Sequence, residues 1–398
     1  MSKIIAVNAG SSSLKYQVYQ LPEFKVLASG QVERIGRDDA IVSIKANGNK
    51  DKRTTKILDH KEAVAIVLKD ILEYSEISSL DEIVGVGHRI VHGGEVFKAS
   101  VQSSPEIVDQ VEKLSKLAPL HNPANLTGYY AFKKALKSAR HVFVFDTAFH
   151  QTMEPKAYLY ALPYEYYEKY HVRKYGMHGT SHKYVSKRTA ELLGKSPEEV
   201  NVIVCHLGNG ASLSAVKGGK VIDTSMGFTP LSGVMMGTRT GDVDPAVFPY
   251  LLEETGLESQ DLEDVYNKQS GMLGISGISN DAREIEDATE ANVPRAVLTS
   301  DMYAYKIASY IGSYLVHLGH VDAIAFTAGI GEYDKGVRRR IVENISEALG
   351  IDFDYDLNDE VRGVEVELTK PTSKTKVFIV PTDEELVIAQ DTQKILGL

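Results

Sequence analysis

Cysteine is nearly absent from this chain: Cys205 stands alone among 398 residues. A disulfide within the chain is therefore excluded, and a reducing compartment is expected. Cys205 closes the apolar run Val202-Ile203-Val204-Cys205, which favours a buried, inert thiol over a reactive one. Positive charge is scarce as well. Lysine and arginine number 44 against 54 aspartates and glutamates, for a net charge of −10. That balance argues against nucleic acid as a partner, although a local arginine cluster can still hold an anion. No stretch approaches the roughly 20 consecutive apolar residues that cross a bilayer. The short apolar run at residues 4–7 gives way to polar residues and lacks the layout of a secretory leader. No membrane association and a cytoplasmic location are expected. Low-complexity linkers are missing too, so no composition break marks a domain boundary.

What is present suits a soluble globular protein: 43% hydrophobic and 25% charged residues. The length exceeds one ordinary core and points to two domains. Helical patterns alternate with short apolar strands, the signature of an α/β protein. Asp59-His60-Lys61-Glu62 resembles a capping box and opens a helix with Ala63, Ile66, Val67 and Ile71 on one face. Ser104-Pro105 reads as a cap followed by proline in the first turn, and Asn122-Pro123 as the same device for a helix through Leu136. The polar stretch 47–55 reads as an exposed hairpin or loop. Val142-Phe143-Val144-Phe145 is a buried strand ending at Asp146, and a second half begins near residue 150. There, strands are expected at 202–205, 323–326 and 377–380, with helices over 295–318, 335–349 and 384–396.

The N-terminal run Ile4-Ile5-Ala6-Val7-Asn8-Ala9-Gly10-Ser11-Ser12-Ser13-Leu14-Lys15 is a strand, a small hydroxyl-rich turn and a returning strand. Its tip offers backbone N–H groups, hydroxyls, an amide and a lysine, which suits a phosphate. The segment Val202-Ile203-Val204-Cys205-His206-Leu207-Gly208-Asn209-Gly210-Ala211-Ser212-Leu213 repeats the layout, and its glycines permit close backbone approach to a ligand. Two such hairpins suggest a two-lobed phosphoryl-transfer enzyme.

Familiar nucleotide motifs fail. Gly194-Lys195-Ser196 resembles the end of a Walker A loop, but Thr189 occupies the position of the leading glycine, and Pro197-Glu198-Glu199 reads as the start of another helix. Gly208-Asn209-Gly210 and Gly329-Ile330-Gly331 open like G-x-G-x-x-G, yet Leu213 and Asp334 stand at the sixth positions. Thr327-Ala328-Gly329-Ile330-Gly331-Glu332 reads as a strand, a glycine turn and a helix, against which a flat ring or a phosphate could lie. Arg89, in Gly87-His88-Arg89-Ile90-Val91-His92-Gly93-Gly94-Glu95, and Arg239, in Met236-Gly237-Thr238-Arg239-Thr240-Gly241-Asp242, both sit among glycines. A guanidinium fork there matches carboxylate or phosphate geometry. His178 and His182 have the i, i+4 spacing of metal ligands on a helix, but no H-E-x-x-H glutamate follows. A donor at the helix entrance fits His178 better, and the bland alternative is a helix cap plus one exposed histidine. Asp146 at a strand tip reads as catalytic or metal-linked, or else as an N-cap. The acidic residues of Pro381-Thr382-Asp383-Glu384-Glu385 suit a helix N-terminus or a Mg²⁺ contact.

Taken together, the segments 8–15, 87–95, 175–182, 206–212, 236–245, 329–332 and 381–385 resemble the acetokinase family, of the actin, sugar-kinase and Hsp70-like superfamily, over essentially the whole chain. The resemblance implies a duplicated βββαβαβα (ribonuclease H-like, actin-like ATPase) fold with two lobes and an active-site cleft between them. The lobes would be 1–150, joined by the C-terminal helix 384–398, and a nucleotide-binding lobe, 151–383. It implies ATP/ADP as co-substrate, Mg²⁺ (with Mn²⁺ as a substitute), a homodimer, and transfer of the γ-phosphoryl of ATP to acetate. Asn8 and Glu384 would belong to the Mg²⁺ site. Lys15 and the loop His206, Leu207, Gly208, Asn209, Gly210 would contact phosphates. Asp281, Ala282 and Arg283, with Gly329, Ile330, Gly331, Glu332 and Tyr333, would line the nucleoside pocket. Arg89 would bind the acyl substrate, with Val91, Leu120, His121 and Pro230 around it. Asp146 would be the active-site carboxylate, and His178 and Arg239 would stabilise the transition state. Met177, Ser232 and Tyr333 depart from residues common in the family and bear on acyl-chain and nucleotide preference.

Acetate is ionised at neutral pH and needs no general base, so Asp146 is expected to serve Mg²⁺ or positioning. The open alternatives are a propionate or butyrate kinase with the same machinery, and an actin- or Hsp70-like ATP switch.

Overall fold

The computed structural model describes residues 2–119 and 121–398, so Leu120 lies outside the described residues. The chain divides into two compact units, Met1–Phe149 with Asp383–Leu398, and His150–Thr382. The first holds β1 (Lys3–Ala9), β2 (Ser13–Gln20), β3 (Lys25–Glu33), β4 (Arg37–Ala46), β5 (Asn49–Ile57), β6 (Ile83–Ile90), β7 (Val101–Gln102) and β8 (Arg140–Phe145), in the sheet order β5-β4-β3-β2-β1-β6-β8-β7. The second holds β9 (Asn201–Leu207), β10 (Ala211–Lys217), β11 (Lys220–Thr224), β12 (Ala323–Thr327), β13 (Val366–Glu367) and β14 (Lys376–Ile379), in the order β11-β10-β9-β12-β14-β13.

The two sheets repeat one plan. β1 runs antiparallel to β2 and parallel to β6; β9 runs antiparallel to β10 and parallel to β12. This is the duplicated α/β topology that the family resemblance implied. The polar stretch 47–55 is the turn and second strand of the β4–β5 hairpin.

The central strands are apolar on both faces because helices cover both. In β1, Ile5 and Val7 face a core shared with Ala63, Val67 and Phe132, while Ile4 and Ala6 face Ile388, Ala389 and Leu396 of the C-terminal helix Glu384–Leu396. In β9, Ile203, Cys205 and Leu207 face one core and Val202 and Val204 another, the latter containing Val185 and Ala190. Both are the period-two alternation of a strand. Cys205 is fully buried, and burial pushes its thiol pKa up, consistent with an inert group.

Local chemistry decided several element ends differently from the sequence reading. Asp59 caps the helix His60–Tyr74 by accepting from Glu62 N at 2.8 Å, but the Glu62 carboxylate reaches Leu58 N rather than Asp59 N. The helix Asn122–Ala135 has His121 at its N-cap, so Asn122 is not the cap. Its amide is engaged elsewhere, as described below. Pro197–Glu199 is a single 3₁₀ turn leading into β9, not a new helix. The expected glycine turn after β12 is itself helical: Ala328–Tyr333 starts directly at the strand end, with Ala328 at φ +62°, and Asp334 then caps a second helix, Lys335–Leu349.

Candidate active site

In the first unit, register brings three polar residues to the carboxyl ends of adjacent parallel strands, where ligands commonly bind in open α/β sheets. Val7 pairs with His88, and Ile90 with Phe145. Asn8, Arg89 and Asp146 therefore lie in a row across β1, β6 and β8. Arg89 Nε lies 3.0 Å from both oxygens of Asp146, and Nη2 lies 2.5 Å from Oδ2. Asp146 is fully buried and follows β8 directly, so it serves the guanidinium. Burial alone would lower the Arg89 pKa. The charge and hydrogen bonds of Asp146 outweigh that and raise it, with smaller help from Glu384 and Glu385.

The C-terminal helix brings its acidic start to the same region. Asp383 is the cap, accepting from Leu386 N, and Glu384 is the first helical residue. Lys15, paired with Asn8 across the first hairpin, has Nζ 2.7 Å from Glu385 Oε1.

The segment after β6 is held by side chains. Asn122 accepts from His92 N and donates to His92 O, both at 3.0 Å. Asn125 accepts from Val91 N at 3.0 Å and donates to Ala9 O at 2.7 Å. Thr147 Oγ1 accepts from Gly93 N. The backbone beside Arg89 and the buried Val91 is thus pinned by two asparagines and a threonine. His121 lies next to this clamp, at the start of the asparagine-bearing helix.

In the second unit, the hairpin β9–β10 turns at Gly208, Asn209 and Gly210, with Gly208 N donating to Gly210 O. Gly208, Asn209, Asp281, Ala282, Arg283, Gly329, Ile330 and Tyr333 line one cavity of about 540 Å³, together with Asn280, Glu286 and Asp334. Asp281 caps the helix Ala282–Glu290 and pairs with Arg283, whose hydrogen bonds lower its carboxyl pKa. Leu207 and Gly331 face the interior instead: Leu207 is core, and a Cβ on Gly331 would meet Phe326 and Cys205 backbone at 3.3–3.5 Å. Glu332 folds back, its carboxylate accepting from Ala328 N at 2.8 Å and Thr382 N at 3.3 Å.

Beside the hairpin tip sit His178 and Arg239. A Cβ on Gly210 would lie 3.3 Å from Arg239 Nη1 and 3.7–3.8 Å from His178 Cε1 and Nε2, so glycine leaves room for both. His178 holds a left-handed backbone (φ 60°) as N-cap of the helix Gly179–Leu192, a strained conformation for histidine of the kind that clusters at functional sites. Its Nδ1 lies 2.9 Å from Ser212 Oγ, and its ring stacks on His206 at 4.2 Å. Arg239 Nη1 donates to Pro230 O at 3.2 Å. Among the described residues no carboxylate pairs with Arg239, and burial lowers its pKa. It is a partly desolvated cation without a counter-charge among these residues.

His182 is fully buried and bonded to Ser212 Oγ at 2.7 Å; the reading of a second, exposed histidine is overturned. Among the described residues no group of three or more histidines, cysteines or carboxylates could hold a metal ion. Among the described residues no helix is long and apolar enough to cross a membrane. Sequence reasoning passed over Ser181, Ser212 and Thr382 behind the histidines, the clamp residues Asn122 and Asn125, and Asn280 and Glu286 in the cavity. Ser212 lay inside the second hairpin motif, which was the one signal for it.

Comparison with known proteins agrees with this architecture. Residues 3–390 match the model of the acetokinase family. The acetate kinase of Geobacillus kaustophilus is 53% identical over all of both chains, and acetate kinase 2 of Listeria monocytogenes is 53% identical over 99% of each. Among solved structures, Porphyromonas gingivalis acetate kinase superposes with a TM-score of 0.94 at 47% identity over the full length of both chains. A propionate kinase from Francisella tularensis superposes with a TM-score of 0.92 at 39% identity, over 99% of this chain and all of its own. The family match spans both units and every motif described above, and the chain belongs to the acetokinase family.

Proposed function

We infer that the chain is an acetate kinase, transferring the γ-phosphoryl group of ATP to acetate in a reversible, direct in-line reaction that yields acetyl phosphate and ADP. The observation that carries this reading is Arg239: a half-buried guanidinium with no carboxylate partner among the described residues, beside His178, at the tip of a hairpin that lines a nucleotide-sized cavity. An unneutralised cation there suits a transferring phosphoryl group, whose reaction needs positioning and charge more than proton chemistry.

An acetate oxygen attacks phosphorus, the bond from phosphorus to the β-bridging oxygen breaks, and ADP leaves with that electron pair. The nucleophile is already an anion, so no base is required. Arg89 binds the acetate carboxylate, and Asp146 fixes the guanidinium. Val91 is the described apolar residue beside Arg89 suited to the methyl group. Arg239 and His178 donate to the equatorial oxygens as charge shifts onto them. The cavity lined by Asp281, Arg283, Gly329 and Tyr333 takes the nucleoside, and the hairpin tip takes its phosphates.

Asn8 and Glu384 offer an amide oxygen and one carboxylate. This small, hard donor set suits Mg²⁺, which keeps several waters and binds substrate phosphates, and it explains why no dense ligand cluster is needed. Held there, Mg²⁺ would supply neutralisation of the phosphate charge. A cytoplasmic location fits the single, buried thiol. A homodimer is supported by the exposed Tyr160, Leu162, Tyr164, Tyr166 and Tyr170, since clustered apolar exposure marks association surfaces; sedimentation equilibrium at two concentrations tests it.

A hydroxamate assay with ATP, Mg²⁺ and a panel of acetate, propionate and butyrate tests the function. Acyl phosphate formation with the highest kcat/KM on acetate is expected. The likeness to a propionate kinase makes propionate the informative competitor, and one methylene should discriminate by only about 1–3 kcal/mol. ATP hydrolysis indifferent to every acid would instead mark a switch protein.

A further inference from the structure

Behind His178 lies a chain of buried groups that the reaction does not touch. Ser212 Oγ lies 2.9 Å from His178 Nδ1 and 2.7 Å from His182 Nε2. We propose that Ser212 and His182 are positioning residues that hold the His178 imidazole in the tautomer with its proton on Nε2. This rests on the reading of His178 as a donor to the phosphoryl group, and it explains how a neutral imidazole is kept ready to donate.

A hydroxyl carries one proton, so Ser212 donates to one imidazole nitrogen and accepts from the other. Two arrangements satisfy this, and His182 decides between them. It is fully buried, and among the described residues its Nδ1 has no hydrogen-bond partner. With its proton on Nδ1, a buried N–H would go unmet, which native structures seldom tolerate. With its proton on Nε2, the N–H is satisfied by Ser212 and only a lone pair is left bare. A doubly protonated His182 is disfavoured by burial first, and then by the His150 and His206 rings facing it. His182 therefore donates to Ser212, Ser212 donates to His178 Nδ1, and the remaining His178 proton sits on Nε2, on the side of Gly210 and Arg239.

A second relay runs beside the first. Thr382 Oγ1 donates to Ser181 Oγ at 2.9 Å, and Ser181 lies 2.7 Å from His206 Nδ1. Ser181 is buried and its own proton needs an acceptor; given to His206 Nδ1, it leaves the His206 proton on Nε2 as well. The stacked rings of His178 and His206 are thus both backed by hydroxyls at Nδ1. The reverse arrangement would present His178 Nε2 as a lone pair and repel a phosphoryl oxygen.

The test reads the tautomer directly, in the full-length protein labelled with ¹⁵N-histidine, by long-range ¹H–¹⁵N correlation at pH 7.5 without substrates. The wild-type protein should show His178 protonated on Nε2; protonation on Nδ1 would overturn the proposal, and this needs no variant to fold. In Ser212→Ala a population protonated on Nδ1 should appear, and kcat should fall about tenfold, the weight of one neutral hydrogen bond, with KM for ATP and acetate within about twofold. His182→Gln, whose amide can replace the Nε2 donor, should keep the wild-type tautomer, whereas His182→Leu should lose it. An unchanged His178 tautomer in Ser212→Ala would overturn the proposal. His178→Ala separates the two readings: full activity there would sink the donor role of His178 while the tautomer data stand.

Discussion

Asp146 grips Arg89 side-on, with Nε 3.0 Å from each carboxylate oxygen and Nη2 2.5 Å from Oδ2. On the proposed reading, a carboxylate occupied in this way positions the guanidinium and takes no proton. Asp146→Asn should release the guanidinium and present an amide N–H to it. We expect kcat/KM for acetate to fall by roughly 100- to 1,000-fold, in line with the several kcal/mol lost when one partner of a buried pair is removed, with KM for ATP nearly unchanged. Steady-state kinetics with each substrate varied in turn separates the terms. A loss confined to kcat at unaltered acetate KM would place Asp146 on the reacting atoms instead.

Arg239 presents the opposite case, a cation with no carboxylate partner among the described residues. Arg239→Ala should lower turnover by roughly 100- to 1,000-fold, about 3–4 kcal/mol of transition-state stabilisation, while the ATP KM moves only a few-fold. Arg239→Lys should recover little, because an ammonium lacks the planar fork. Near-normal turnover in Arg239→Ala would remove this residue from the mechanism.

How much of this could be read from the chain depended on the range of the interaction. Local signals were legible: Asp59 and Ser104 as caps, the strand ending before Asp146, and the twin hairpins β1–β2 and β9–β10. Whatever depended on pairing across the sequence was not. Asn122 looked like a cap because Asn-Pro favours one, yet its amide is spent on His92, thirty residues away. For His182 the bland alternative was an exposed histidine, because the sequence says nothing of what β10 places against it. The glycines of residues 329–332 suggested a turn, but in the structure Glu332 folds back as an acceptor for the first helical N–H.

Gly237 is a tight spot of this non-local kind. A Cβ there would lie 2.0 Å from Asn209 Oδ1 and 3.3 Å from Asn209 O, while Gly237 N donates to that same carbonyl at 2.9 Å. Gly237→Ala must therefore displace the Asn209 side chain, which lines the cavity proposed for the nucleoside and accepts from Asn280. We expect a rise in ATP KM of about five- to tenfold, the order of one lost hydrogen bond, with acetate KM unchanged. Isothermal titration with ADP gives the same comparison without turnover. Wild-type ADP affinity would show that Asn209 does not serve the nucleotide.

Gly87 plays a packing role. It sits in β6 two residues before Arg89, and a Cβ would lie 2.3 Å from Thr392 Oγ1 and 2.5 Å from Ile388 Cγ2 of the C-terminal helix. That helix begins at Glu384. Gly87→Ala should push it off the sheet, cost about 1–3 kcal/mol as overpacking does, and raise the Mg²⁺ concentration needed for half-maximal rate. Urea midpoints and a Mg²⁺ titration at saturating ATP read the two effects. A shift in stability without a change in Mg²⁺ requirement would detach Glu384 from the metal.

Buried histidines predict the acid response. Burial holds His141 down to about 4 and His150 to about 3, against about 6.5 in an unfolded chain. The folded state therefore binds fewer protons than the unfolded one below that value. Their contribution is complete above about pH 6.5 and is lost as pH falls towards the folded values, by up to about 1.4 kcal/mol per pH unit for each histidine. His141 also lies 2.9 Å from His88, itself held low by burial and by that neighbour. His141→Gln cannot titrate, so its stability should fall less between pH 7.5 and 4.5 than that of the wild type. Urea midpoints across that range should converge as pH drops, although the variant starts lower. Parallel curves would mean that His141 titrates alike in both states and that acid lability arises elsewhere.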